Sequence, residues 1–558
     1  MTWIEVTLRP KTINRLLLLI TYSLVLISFS QPIYGTTDDK ILGGFVDGSY
    51  TGEREIQTIF IQPVINFILI PFYYFFPNFG WYAIFQVGLV LIALSLIPPA
   101  LNALKPFMNK YFLALSLFIL SWQIPQITYT STAILTFLLT SLLLFLYLLN
   151  GEKSKLKITI VVIVFILSFH WRTEAVLGIS TLLILPITKY FKRLIKLNRN
   201  LIAIFLIVLT SITSFNYFLR EANASEEWDS YNQWNSYRHQ LQNRISQDNL
   251  WRELEKISWS TAEHNLFISL SYGDPNTFNS EWIEPAFELS RSSAGLKGVI
   301  NADTAYTLSE TIKVLKNYKS ELFYLVFLSV ILLILFRTLK NFAYISLIWM
   351  QGLLITYFMA ATLHTPERVV IPLFMGSTII SLVLILDQNL TKLSRFNLIN
   401  TATLVGFLLL IFAPGGLKDD FSYRENAIKD SNEVKQVLSN FDEKNILLGS
   451  VGTEVNHVVN PFVRSKFEKD LKIITVGNWE TFSPHWYKRN FKLGIISNNV
   501  NDDLIKNPKV LWVTQEIPDT AYQVELYLQE QNKSEFERRG VNTGLKEINV
   551  FKFAPDSP

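Results

Sequence analysis

The feature that most restricts the fold of this chain is a series of apolar runs, each roughly 16 to 22 residues long, spread over its first three quarters. About 20 apolar residues in a helix span the hydrocarbon core of a bilayer, and a helix satisfies its own backbone polar groups there. Only 17% of the 558 residues are charged, against about 25% in soluble domains. The sequence therefore predicts an α-helical polytopic membrane protein.

The distribution of charge predicts how these runs cross the membrane. If the apolar stretch 58–76 lies along the membrane surface, every alternate loop becomes basic, with 17 Lys or Arg against three Asp or Glu. Basic loops stay in the cytoplasm, so the N-terminus is predicted to be cytoplasmic. The stretch also contains Gln62, Pro63, Asn66 and Pro71, and we interpret it as an interfacial helix. About eleven transmembrane helices are predicted, over residues 15–34, 81–100, 111–129, 131–149, 157–171, 174–190, 201–219, 321–336, 341–361, 369–387 and 396–414.

The chain is predicted to form two domains, a transmembrane domain over 1–417 and an extracytoplasmic α/β domain over 418–558. The first includes an outer segment, 35–80, and a large outer loop, 220–320, whose five tryptophans indicate a folded structure. The second alternates strand-like and helical runs. Its strand-like runs are 446–451, 473–476, 510–513 and 548–553, and its helical runs are 426–440 and 520–530.

Several classes of protein are disfavoured by composition and motif. The chain has no cysteine, which excludes disulfides, thiolate metal sites and cysteine nucleophiles. Its net charge of +4 is small for its length, so no nucleic-acid partner is expected. The α/β region has neither a dinucleotide-binding nor a P-loop sequence. The run 15–34 is too long for a signal-peptide core and is interpreted as a retained first helix.

The first candidate site is the sequence TTDDK, in which Asp38 and Asp39 directly follow the first helix on the predicted outer side. One interpretation is that Thr37 or Asp38 caps a short helix. The other is that one carboxylate acts as a general base or metal ligand, because partial burial raises a carboxyl pKa toward the range useful for catalysis. Glu53, later in the same outer segment, is a candidate supporting residue.

The second candidate site is HWRTE, which contains His170, Trp171, Arg172 and Glu174 at a predicted outer helix junction. It could be an interfacial belt, with the tryptophan as anchor and the arginine extended to water. Ionisable groups at membrane helix ends also mark ligand sites, and an anionic ligand would account for Arg172. His170 and Glu174 are then supporting polar residues.

The third candidate site is HTPERV, with His364, Glu367 and Arg368 at another outer junction. A structural turn at Pro366 is one interpretation. Guanidinium groups, however, bind phosphate oxygens bidentately and stay charged. We therefore predict that Arg172 and Arg368 bind a lipid phosphate together with His364, and that Arg238 in the large outer loop is a weaker candidate for the same role.

A polar segment, QITYTS at 126–131, follows a predicted membrane helix. Its amide and hydroxyl groups could bind sugar hydroxyls. The end of a helix is the simpler interpretation of these residues.

The layout of these features resembles that of GT-C type membrane glycosyltransferases over about residues 1–414. The shared features are an acidic pair after the first helix, an interfacial helix, basic outer junctions and a terminal outer domain. The resemblance implies a polyprenyl-phosphate-linked sugar as donor and an acidic residue of the first outer loop that activates the acceptor. Asp38 and Asp39 match that acidic position, whereas Arg172 and Arg368 match by location. The run 48–82 is similar to bacterial multi-pass proteins, which indicates a bacterial origin.

The leading functional hypothesis is a glycosyltransferase of the bacterial cytoplasmic membrane, acting on its outer face on a cell-surface glycan or a lipid-linked acceptor. A divalent cation, Mg²⁺ or Mn²⁺, held by Asp38 or Asp39 is a possible cofactor. The second hypothesis is a surface-polysaccharide polymerase, which needs the arginines but not the aspartates. The third is a lipid or polysaccharide transporter or flippase, which is disfavoured because the charges cluster at the outer surface rather than at mid-membrane depth.

Overall fold

The fold is taken from a computed structural model of the 558-residue chain. It describes residues 10–104, 108–152, 154–195, 199–242, 257, 259–291, 304–335, 339–361, 367–385, 429, 446–450, 460–464, 473–495, 499–515, 518–532, 536–541 and 548–555.

The first part of the chain is almost wholly helical within these ranges. Two short strands, β1 (Ile33–Tyr34) and β2 (Gln126–Ile127), pair in parallel at one end of the helical bundle. The helices are α1 (Pro10–Ser30), α2 (Thr37–Asp47), α3 (Pro63–Phe75), α4 (Trp81–Leu104), α5 (Met108–Gln123), α6 (Tyr129–Asn150), α7 (Lys155–Trp171), α8 (Thr173–Ser180), α9 (Ile184–Ile195), α10 (Arg199–Ala222), α11 (Glu226–Gln242), α12 (Thr261–Ile268), α13 (Ser280–Arg291), α14 (Thr304–Asn317), α15 (Lys319–Leu335), α16 (Leu339–Ala361) and α17 (Glu367–Ile385). A 3₁₀ turn, Thr181–Leu183, joins α8 to α9.

Five of the described helices are long and apolar enough to cross a membrane: α4, α6, α10, α16 and α17. Helices α7 and α8–α9 would form a sixth span if they are counted together, but they bend by 113° at Arg172. Parts of α1, α5 and α15 are apolar but shorter. The helices are those of a membrane protein, and the total of eleven stays a prediction, since 396–414 lies outside the described residues.

Two helices form the centre of the bundle. Helix α6 packs against α4, α7 and α17, and 83% of its apolar window is buried, as is 89% of that of α17. By contrast, only 11% of the window of α10 is buried. A helix that is apolar all round belongs in the interior, so the N-termini of α6 and α17 bring their first residues to the centre of one end of the bundle.

The predicted interfacial stretch contains the helix α3, Pro63–Phe75, with 13 residues. At a rise of 1.5 Å per residue it is about 20 Å long, which is too short to cross a hydrocarbon core of about 30 Å. Its last turn exposes Tyr74 and Phe75, 67% and 78% of whose surfaces are accessible. Its interfacial position remains a prediction that this length favours.

The C-terminal part forms one five-stranded sheet, in the order β4-β3-β5-β7-β6. Strands β3, β4 and β5 are parallel, whereas β7 runs antiparallel to β5 and β6. The sequence-predicted strands at 446, 473, 510 and 548 are all present, while the predicted helix 426–440 lies almost entirely outside the described residues. The elements are β3 (Ile446–Ser450), β4 (Ile473–Val476), α18 (Pro484–Leu493), α19 (Val500–Lys506), β5 (Val510–Gln515), α20 (Pro518–Asn532), β6 (Phe536–Val541) and β7 (Ile548–Pro555).

The large loop predicted at 220–320 shares a hydrophobic core with this sheet. Trp234 of α11 packs against Tyr272 and Phe482, with ring centroids 5.7 and 5.0 Å apart. The same core contains Leu448, Val476 and Trp512 from the strands. The described part of the loop is therefore folded, as its tryptophans predicted, and it is joined to the C-terminal sheet.

The C-terminal part also pairs with the segment before α4. The amide of Gly80 donates to the carbonyl of Phe462, 2.9 Å away, and that of Arg464 donates to Asn78, 3.2 Å away. A Cβ atom on Gly80 would lie 2.0 Å from the carbonyl oxygen of Pro461. This close approach of two backbones requires glycine.

We expect Gly80→Ala to weaken this pairing, because the methyl group forces two backbones apart. Overpacking of this kind costs about 1–3 kcal/mol. The measurements are the thermal unfolding midpoint in detergent and the rate of proteolysis near 460–464. Gly178→Ala is the matched control, since no atom lies within 4 Å of a Cβ added there. Equal midpoints and equal proteolysis rates for Gly80→Ala and the parent would contradict the tight contact.

Candidate functional site

The first turn of α2 places two carboxylates at the end of the bundle. Thr36 has an extended backbone (φ −146°, ψ 154°) and occupies the cap position, although its side chain accepts no hydrogen bond from a backbone amide of the first turn. Asp38 and Asp39 therefore lie inside the first turn, and the interpretation that Thr37 or Asp38 caps the helix is wrong. Their position is nevertheless favourable, because the N-terminal end of a helix stabilises negative charge.

Asp39 is completely buried and accepts hydrogen bonds from three segments. Its Oδ1 accepts from the amide of Tyr129 at 2.8 Å and from the hydroxyl of Tyr82 at 3.3 Å. Its Oδ2 accepts from the Thr36 hydroxyl at 2.8 Å. Burial raises the pKa of Asp39 from 3.8 to about 7, although the bonds from Thr36 and Tyr129 act in the opposite direction.

Asp38 is partly accessible and binds different partners. Its Oδ1 accepts from the indole nitrogen of Trp479 at 2.6 Å. Its Oδ2 lies 3.7 Å from Nη1 of Arg368, and about a fifth of each side chain remains exposed. This ion pair is longer than a hydrogen bond. Oδ2 therefore keeps lone pairs that no donor in the described part of the chain occupies.

Arg172 lies at the break between α7 and α8, where φ is −158° and ψ is 87°. Its guanidinium group lies 4.5 Å from the ring centroid of Phe60 and 5.3 Å from that of Tyr129. It also pairs with Glu174 at 3.5 Å, but 77% of the Glu174 side chain is exposed, so the pair contributes little to stability. Arg172 is held on aromatic faces instead of extending to water.

Tyr129 is the residue around which the predicted site residues meet. Its amide donates to Asp39 at 2.8 Å, its ring lies 5.3 Å from the guanidinium group of Arg172, and Asp38, next to Asp39, pairs with Arg368 at 3.7 Å. Pairing of β1 with β2, together with the cap that Thr128 provides for α6, fixes the backbone amide that binds Asp39. The structure thus brings together two aspartates and two arginines that are far apart in the sequence.

The other predicted residues lie elsewhere. Arg238 donates to Asn235 at 2.8 and 3.0 Å, in the region where the large loop shares a core with the C-terminal sheet. Glu53 is 78% exposed and lies 3.8 Å from Lys488. His170 contributes its backbone carbonyl, which accepts from the amide of Gln62 at 3.0 Å. His364 lies outside the described residues.

Trp171 does not anchor the chain at a membrane interface. It is fully buried, with its ring 5.8 Å from that of Tyr82 and 5.6 Å from that of Phe85. The belt interpretation of the HWRTE sequence is therefore wrong for this residue. Trp171 belongs to the core behind the site.

Sequence reasoning missed the aromatic residues that build the site, namely Phe60, Tyr82, Tyr129 and Trp479. It also missed Glu480, a fully buried carboxyl beside Trp479. Burial raises the pKa of Glu480 to about 7, and the charge of Asp38 acts in the same direction. Its Oε1 accepts from Thr475, while Oε2 has no hydrogen-bond partner among the described residues. The available signal, for Tyr129, was the polar segment at 126–131, for which we considered sugar binding but found the end of a helix the simpler interpretation.

The metal-binding role predicted for Asp38 or Asp39 finds no ligand cluster among the described residues. No group of three or more acidic or histidine side chains suited to a metal ion occurs in the described ranges. Asp39 faces three hydrogen-bond donors, and Asp38 faces a guanidinium group and an indole N–H. These surroundings satisfy anions without a metal ion. Metal dependence remains a prediction, and the residues described here do not support it.

The pKa of Asp39 predicts a pH-dependent stability. Between pH 3.8 and about 7 the folded chain holds a proton that the unfolded chain releases, so the stabilisation is present at low pH and is lost as pH rises through 7. Asp39→Asn can keep the bonds to Tyr129 and Thr36 without a charge. We expect it to reduce the fall in the free energy of unfolding between about pH 4 and 7, which for one such carboxyl group is at most about 1.4 kcal/mol per pH unit.

The measurement is thermal unfolding of the protein in nanodiscs at each pH. Glu480→Gln should reduce the same slope, because burial shifts that carboxyl in the same direction. Asp502→Asn is the control, since Asp502 is an accessible residue in an i,i+4 pair with Lys506. An unchanged slope in Asp39→Asn would show that Asp39 stays ionised in the folded protein.

Comparison with known proteins adds little to this geometry. No protein-family model matches the sequence, and no curated protein matches it. One similar solved structure is the crystal structure of ArnT from Cupriavidus metallidurans bound to undecaprenyl phosphate, with 10% identity over 96% of this chain and 98% of that chain. The TM-score is 0.37, and at that level the likeness supports no conclusion about this chain.

Proposed function

We propose that the chain is a membrane glycosyltransferase that moves a sugar from a polyprenyl-phosphate donor to a hydroxyl group of a cell-surface glycan or lipid-linked acceptor. The observation that carries this proposal is that contacts to Tyr129 and between Asp38 and Arg368 bring Asp38, Asp39, Arg172 and Arg368 together at one end of a bundle of apolar helices. A base and a pair of phosphate-binding cations are the two requirements of this reaction. The charge of the loops favours an outward-facing site in a bacterial cytoplasmic membrane.

The donor phosphate is assigned to the two arginines. Guanidinium groups bind phosphate oxygens in a planar, bidentate geometry. Arg368 is held by Asp38 through an ion pair of 3.7 Å, which is loose enough for a phosphate oxygen to compete for the guanidinium group. The rings of Phe60 and Tyr129 hold the guanidinium group of Arg172 in a fixed position. Arg238, whose guanidinium group donates to Asn235, stays the weaker candidate for the same role.

The chemistry is a displacement at the anomeric carbon. The acceptor hydroxyl oxygen attacks that carbon, the bond from the carbon to the phosphate oxygen breaks, and the polyprenyl phosphate leaves with the electron pair. The acceptor proton passes to Asp38, whose Oδ2 is accessible, whereas Asp39 is buried and fully hydrogen-bonded. Asp38 is thus the base and Asp39 the residue that fixes α2. The arginines stabilise the negative charge on the leaving phosphate.

We expect Asp38→Asn to lower sugar transfer at least about 100-fold, because general bases contribute about 10²–10⁴ in rate, with binding of undecaprenyl phosphate unchanged or stronger. Arg368→Ala should weaken binding and transfer together. The assay uses purified protein in nanodiscs with a panel of undecaprenyl-phosphate-linked hexoses and pentoses. It measures released undecaprenyl phosphate and, separately, binding of undecaprenyl phosphate itself.

Asp502→Asn, far from the site in sequence and located on α19, serves as the control and should transfer at the parental rate. Loss of activity in the arginine variants but not in Asp38→Asn or Asp39→Asn would contradict the transferase and favour a polymerase. Binding of undecaprenyl phosphate without release from any linked sugar would favour a transporter or flippase.

A further inference from the structure

A tryptophan of the C-terminal part contacts the proposed base directly. The indole nitrogen of Trp479 donates to Oδ1 of Asp38 at 2.6 Å, across 441 residues of sequence. Only 5% of the Trp479 surface is accessible. A buried contact that joins the two ends of the chain at the reacting group needs an explanation beyond ordinary packing.

Three separate segments fix the position of this indole. Its ring lies 4.9 Å from that of Phe60 and 6.2 Å from that of Phe45, in tilted and edge-on arrangements. The backbone carbonyl of Trp479 accepts a hydrogen bond from the hydroxyl of Tyr231 in α11. The outer segment and the large loop thus both orient a side chain that belongs to the C-terminal part.

The contact has a defined chemical effect on Asp38. An indole N–H can only donate, and a hydrogen bond to a carboxylate is stronger than one between neutral groups. Because the indole occupies Oδ1, the carboxylate cannot rotate freely, and Oδ2 is directed to the side where Arg368 lies. That orientation is the one in which Oδ2 can accept a proton next to the departing phosphate.

We propose that Trp479 is a positioning residue of the transferase, whose N–H group orients the carboxylate of Asp38 for proton transfer. The inference rests on the proposed function and assigns the C-terminal part a place in the catalytic apparatus, in addition to any role in acceptor binding. Trp479 itself touches the base and no reacting atom of the substrate.

The test separates the N–H group from the ring. Trp479→Phe removes both the N–H group and part of the ring volume. Replacement of Trp479 by 3-benzothienylalanine at an amber codon keeps the bicyclic ring and removes only the N–H group. We expect both to lower kcat for an undecaprenyl-phosphate-linked sugar about 10- to 100-fold, the effect of one hydrogen bond to a charged group. Binding of undecaprenyl phosphate and the KM of the donor should change less than twofold.

Trp512→Phe is the matched control, because Trp512 is buried in the same C-terminal sheet and its indole nitrogen has no hydrogen-bond partner in the described ranges. It should leave kcat within twofold of the parent. Parental kcat in the benzothienylalanine protein would overturn the inference and reduce Trp479 to packing, even if Trp479→Phe unfolds. A parental rate in Asp38→Asn would instead overturn the proposed function.

Discussion

The end of the bundle is organised by one buried charge-bearing group, the carboxyl of Asp39. A carboxyl group that is removed from water must find hydrogen-bond donors or a proton, because an unpaired buried charge costs several kcal/mol. The donors to Asp39 come from the loop before α2, from α4 and from the first residue of α6. Satisfying this one group therefore fixes the positions of the Thr36 loop, α4 and α6 relative to one another. The short β1–β2 pairing holds the chain before Thr36 and before α6 at the same place.

The position of Asp39 determines what Asp38 can do. Because the two residues are consecutive in a helix, their side chains point in directions about 100° apart. Asp39 turns into the core, and Asp38 turns toward Arg368 and Trp479. The neighbouring charge of Asp38 also raises the pKa of Asp39. Burial of one acid thus presents the other at the surface of the bundle with a cation beside it.

The long apolar helices of the described residues and four of the five strands of the C-terminal sheet could be predicted from the sequence, because apolar runs and alternation depend on local residues, whereas β6 was not predicted. The predicted runs at 201–219, 341–361 and 369–387 correspond to helices that begin and end within about three residues of them. Arg172 and Arg368 could also be recognised as candidates from the sequence, because each lies in a predicted outer loop, where basic residues are less common than in cytoplasmic loops. The break at Arg172 was also predicted, as the junction between the runs 157–171 and 174–190, but no proline or glycine at that residue indicated its bend of 113°.

The contacts of the site could not be predicted in the same way. Trp479 and Asp38 are 441 residues apart, and nothing local distinguishes Trp479 from the other twelve tryptophans. Tyr129 binds Asp39 through its backbone amide, a group that every residue except proline has. These contacts depend on how the C-terminal sheet and the large loop share a core and dock together on the bundle. Pairing of 78–80 with 462–464 is the visible part of that docking.

The docked C-terminal part brings a second buried acid to the site. Glu480 follows Trp479, is fully buried and interacts with Asp38, and its pKa is raised to about 7 like that of Asp39. Asp39 and Glu480, whose raised pKa values favour the neutral form below pH 7, therefore flank Asp38, which is accessible and faces the guanidinium group of Arg368. Environments that separate the acids of a site in this way assign them different roles. In this protein Asp38 is the accessible acid beside Arg368, while Asp39 and Glu480 are fully buried.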